Sequence, residues 1–113
     1  MKIVSDSITR DELKRMAAGL FGDMVKAVVD VDQGLLGLDA ELHADIEAAL
    51  LEAGSSQSDL WGINLYPEKQ DEGFIEFDSL INVRPSQGNK SRGVDDDKLR
   101  GRIIGIVAQR VGP

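Results

Sequence analysis

Cysteine is absent from the 113 residues, which excludes a disulfide framework, a thiolate metal site and a thiol nucleophile. Aromatics are scarce, with one Trp, one Tyr and three Phe, and no aromatic pair for stacking RNA bases is visible. Cations are outnumbered: 13 Lys and Arg stand against 20 Asp and Glu, for a net charge of −7. That balance opposes nonspecific attraction to nucleic acid and to anionic lipid. The longest apolar stretch, around Ile103 to Ala108, falls far short of the ~20 residues of a membrane span. The opening residues Met1 to Asp6 contain no apolar signal segment, so a cytoplasmic location is expected. No Gly-x-Ser-x-Gly elbow, Ser-His-Asp order or dinucleotide fingerprint occurs.

What is present is the composition of one globular domain over residues 1–113, 42% hydrophobic. Thr9-Arg10-Asp11-Glu12 is a capping box, and Leu13, Met16, Ala17, Leu20 and Phe21 follow at helical spacing up to Gly22. From Met24 the period changes to two. Met24 to Val31 and Leu35 to His43 read as a hairpin of strands about eight residues long around Asp32-Gln33-Gly34. Leu42, Ile46, Ala49, Leu50 and Ala53 also fit a helix, capped by Asp39 or Asp45 and ended by Gly54; the later start preserves the hairpin.

Trp61 to Tyr66 and Ile75 to Arg84 alternate as a second hairpin, closed by Pro85. A last helix, capped at Asp95 or Asp96, carries Leu99, Ile103, Ile106 and Val107. The expected fold is therefore α+β: an open-faced antiparallel sheet of two hairpins with three amphipathic helices, in the order α-β-β-α-β-β-α. A short strand at Ile3-Val4 is a further possibility.

If the four strands share a sheet, its outer face gathers polar residues, among them Lys26, Asp30, Asp39, Asn64, Tyr66 and Asn82. Such residues are also what any solvated sheet surface carries. A sharper feature is charge segregation: between Asp78 and Asp95 there is no acid, while Arg84, Lys90 and Arg92 are all cations. Ser86, Asn89 and Ser91 add donors, so this loop with Asn82 is a candidate site for an anionic ligand or an acidic partner segment. It is not a P-loop, because Val94-Asp95 stands where Lys-Ser/Thr is required. The alternative for the three cations is pairing with neighbouring acids.

Glu76 and Asp78, two residues apart on one strand, with Glu41 and the only histidine, His43, form a candidate Mg²⁺ or Mn²⁺ site. A metal-activated water there would support hydrolysis, although exposed paired carboxylates are common without metal. The last helix, with Ile103, Ile104, Ile106, Val107 and Val111 spread around it, gives a third option, a symmetric homodimer.

The segments Trp61-Gly62-Ile63-Asn64-Leu65-Tyr66-Pro67, Ile75 to Pro85 and Asn89-Lys90-Ser91-Arg92-Gly93-Val94, with Glu41-Leu42-His43-Ala44-Asp45 upstream, resemble an uncharacterised family of short bacterial and archaeal proteins, described only as a domain of unknown function. The resemblance spans nearly the whole chain. It implies a single microbial cytoplasmic domain and supplies no activity, substrate or catalytic residue.

Overall fold

The computed structural model describes residues 1–113. Its elements run β1 (Lys2–Val4), β2 (Ile8–Thr9), α1 (Arg10–Gly19), β3 (Val25–Asp30), β4 (Leu35–Leu38), α2 (His43–Glu52), β5 (Leu60–Leu65), β6 (Ile75–Glu76), α3 (Asp97–Arg110) and β7 (Val111–Gly112). The expected α-β-β-α-β-β-α order is present from α1 to α3. Five strands form an open antiparallel sheet in the order β1-β4-β3-β5-β6, while β2 and β7 make a small parallel pair that ties the two ends of the chain together. No helix is long and apolar enough to cross a membrane.

The main core lies on one face of the sheet. Val25, Ala27 and Val29 of β3, with Leu36, Leu38, Trp61, Ile63 and Leu65 from its neighbours, are buried beneath Leu13 and Ala17 of α1 and Ile103 and Val107 of α3. Each of these Val, Leu and Ile side chains contributes about 1.5–3 kcal/mol by leaving water. Local chemistry positions the helices. The Thr9 side chain accepts from Glu12 N–H, as the capping box requires, and Asp96 accepts from the N–H groups of Lys98 and Leu99.

The opposite face, expected to be wet, is covered over its central part. Strand register sets Gly37, Val28 and Gly62 in one row across β4, β3 and β5. A Cβ on Gly37 would meet Ile46 Cγ2 at 2.5 Å, and one on Gly62 would meet the Ser79 Cβ at 2.5 Å. The two missing side chains let α2 settle on one flank of Val28 and the 79–82 turn on the other. Ile46, Leu50, Val28 and Leu60 form a second, smaller core there.

This covering shortens the expected strands. β4 stops at Leu38 because Asp39 has a φ of 71°, a left-handed conformation that turns the chain out of the sheet. Glu41 therefore lies outside any strand, and His43 opens α2 rather than ending a strand. β6 ends at Glu76, and residues 80–82 form a 3₁₀ turn instead of continuing the ladder. Glu76 and Asp78 are thus not neighbours on one strand face.

Candidate functional site

Where β6 stops, side chains continue its pairing. Asn82, fully buried, accepts from Gly62 N–H at 2.8 Å and donates from Nδ2 to Gly62 O and to Arg92 O, each at 2.9 Å. Its amide does for β5 what a neighbouring strand residue would do. One step along, the Arg84 guanidinium donates to Leu60 O and to Glu47 Oε2 and stacks 4.7 Å from the centre of the Trp61 ring. Burial pulls the Arg84 pKa below its usual range, and Glu47 opposes that shift.

The rest of the basic loop is also engaged. Asn89 is buried, donating from Nδ2 to Asn82 O and Gly93 O, both at 2.8 Å, and accepting from Asp95 N–H at 2.8 Å. The Asp95 carboxylate accepts from Ser91 Oγ at 2.6 Å and from Lys90 N–H at 3.1 Å. The Ser91 hydroxyl is the main reason the Asp95 carboxyl ionises below the ordinary range, with Lys90 N–H assisting. An acid of the chain itself takes the donors that an anion would need. Arg92 pairs with Asp78 at 2.6 Å. Ser86 and the Lys90 side chain project into solvent. The expected anion-binding loop is therefore mostly a clasp for the edge of β5.

The expected metal residues are likewise committed to other contacts. Glu76 Oε1 accepts from Asn64 Nδ2 at 2.9 Å and from Tyr66 OH at 3.1 Å, while Asp78 is held by Arg92. His43 Nε2 donates to Ile63 O at 2.8 Å, an assignment fixed by the carbonyl partner. Burial drives the His43 pKa below its ordinary value of 6.5, against the opposing effect of the Ile63 carbonyl. Glu41 is exposed. No group of three or more His, Asp and Glu side chains gathers with metal-binding geometry. Asp30, expected on the wet face, is buried and accepts from Asp32 N–H, Gln33 N–H, Gln33 Nε2 and Ser55 Oγ, which satisfies its charge without a cation.

A cleft opens elsewhere, between α3 and the segment running into β6. This cleft of about 750 Å³ has Phe74, Ile75, Phe77, Ile104, Val107 and Val111 among its lining residues. Ligand sites usually measure about 300–1,000 Å³. Arg10 and Arg100 also line it, each over a phenyl ring, Arg10 Cζ at 4.0 Å from the Phe74 centroid and Arg100 Cζ at 4.3 Å from that of Phe77. Neither guanidinium forms an ion pair. Arg10 uses only Nη1, on the carbonyls of Pro67 and Lys69, and Arg100 uses only Nη1, on Val94 O. The Nε and Nη2 donors of both side chains remain open.

A family model described as "Protein of unknown function (DUF5674)" matches residues 2–110. The chain belongs to this family. The DUF5674 region runs from β1 to the end of α3, so every cleft residue except Val111 lies within it. No curated protein and no solved structure matches the chain.

Sequence reading missed the cleft because its charged residues carried other signals. Arg10 sits inside the capping box and Arg100 on the last helix, where both look like ordinary solvated cations. Their aromatic partners are 64 and 23 residues away in the chain. A scan for cations without a nearby acid in sequence would have passed over Arg10, which directly precedes Asp11 and Glu12.

Proposed function

We propose that the protein is a small binding module for an anionic ligand with an apolar body, held in the cleft between α3 and residues 72–77. The observation that carries this reading is the pair of guanidinium groups, Arg10 and Arg100, facing an apolar cleft without ion-pair partners in a chain of net charge −7. Phe74 and Phe77 pack against the two guanidinium groups, which limits the entropy lost when a ligand is gripped. The free Nε–Nη2 edge of each is a planar fork suited to a carboxylate or phosphate. Ile104, Val107 and the phenyl rings supply the apolar surface that drives an alkyl or aryl body out of water.

The class of ligand is the one expected from the sequence, but the site moves from residues 84–93 to the cleft. A homodimer through α3 is a rival use of the same face, favoured by Ile104, which is 48% exposed. Arg100, one turn before Ile104 and so on the same side of α3, weighs against it, because such an interface would cover a guanidinium that has no ion-pair partner.

Titration with octanoate, followed by amide resonances, tests the reading. Shifts should saturate first at Gly73 to Phe77 and Ile104 to Ala108. Arg10→Ala and Arg100→Ala should each weaken binding about tenfold or more, as charge-assisted hydrogen bonds contribute about 1.5–3 kcal/mol. Shifts confined to residues 84–93 would return the site to the loop, and the absence of any saturable shift would defeat the proposal.

A further inference from the structure

We infer that the cleft selects monoanions, specifically monocarboxylates on an alkyl or aryl body, over phosphomonoesters; this rests on the cleft being the ligand site. Attracting and repelling groups line the same cavity. Asp71 and Glu72 line the cleft beside Phe74, so a ligand held by the two arginines shares the cavity with two acidic residues. Asp71 cannot swing away freely, because its Oδ1 accepts from Gly73 N–H at 2.8 Å to cap the short turn leading into Phe74. Glu72 has no cation paired with it.

A phosphomonoester near neutral pH carries about −1.5 to −2 charge, so it meets more of this repulsion than a carboxylate does. It also lacks the backbone cradle that phosphate sites use. The glycines with positive φ are Gly22, Gly34, Gly54 and Gly88, and none lines the cleft. The N-terminus of α1 adjoins the cleft at Arg10, but Thr9 caps it and Asp11 and Glu12 occupy its first turn. What the cleft offers is two guanidinium forks with two acidic residues beside them, a balance that suits the single charge of a carboxylate better than the double charge of a phosphate.

The test compares octanoate, octyl phosphate and octanol on the full chain at about pH 7.5, in about 20 mM and about 300 mM NaCl. Octanoate should bind about fivefold or more tightly than octyl phosphate at low salt. That ratio should shrink at high salt, which screens the exposed acids, and in the double variant Asp71→Asn, Glu72→Gln, where the amide oxygen at position 71 can still cap Gly73. Equal or tighter binding of octyl phosphate would overturn the selectivity while leaving the cleft a ligand site. Octanol binding as well as octanoate, or no binding by any of the three, would overturn the anion site itself and the selectivity with it.

Discussion

Replacing Asn82 by Ala removes the only side chain that pairs both backbone groups of Gly62 at the edge of β5. Gly62 is buried, so its N–H and C=O would be left without partners and without water. Each orphaned buried group costs about 1–3 kcal/mol, which places the loss near about 4 kcal/mol for the pair. The third bond, to Arg92 O, matters less because Arg92 is exposed and its carbonyl can turn to solvent. Against a total of about 5–15 kcal/mol, such a loss should lower the melting temperature by roughly 15 °C. Urea unfolding followed by Trp61 fluorescence reports the transition from the neighbouring residue, and exchange of the Gly62 amide reports the local opening. The Asn82→Asp variant keeps the acceptor but sets a carboxylate oxygen against two carbonyls, so it should be at least as unstable. A loss below about 1 kcal/mol for Asn82→Ala would refute the account of residues 82–92 as the clasp of this sheet edge.

Three further outcomes follow from the same contacts. Arg84→Met should preserve contact with Trp61 but leave Leu60 O unpaired and Glu47 without its cation, costing about 2–4 kcal/mol in urea unfolding; an unchanged midpoint would show the guanidinium to be idle. Gly37→Ala drives a methyl into Ile46 Cγ2, an overpacking cost of about 1–3 kcal/mol that pairing with Ile46→Ala should partly recover, whereas additive losses would contradict the close approach. His43 ionises less readily folded than unfolded, so the native state binds fewer protons. The stability tied to neutral His43 should be present above its ordinary value of 6.5 and be lost as pH falls from there toward the lowered native value. The urea midpoint should drop between about pH 7.5 and about pH 5.5, and His43→Gln should flatten that slope; an equal slope in both proteins would remove His43 as the cause.

Residues that act through near neighbours were legible from the sequence. The Thr9 and Asp96 caps, the turn at Asp32 to Gly34 and the period-two alternation of β3 and β5 rest on contacts within a few positions. They were enough for the α+β class and the order of the main elements. Trp61, Ile63 and Leu65, alternate residues of the expected strand from Trp61 to Tyr66, share the core face as that alternation implies.

What only the tertiary structure decided is which polar residues are spent on the fold and which are left over. A polar side chain in a strand pattern signals an outward position but not whether another segment comes to cover it. Gly37 and Gly62, unremarkable in sequence, are set side by side with Val28 by strand register, and the flat patch they make draws α2 and the 79–82 turn onto that face. Covering it makes Asn82, Asn89 and Arg84 structural and hands the donors of Ser91 and Lys90 to Asp95. Arg10 and Arg100 meet one cleft only after α1, α3 and the turn before β6 have converged, since a guanidinium and the phenyl ring beneath it can come from parts of the chain far apart in sequence.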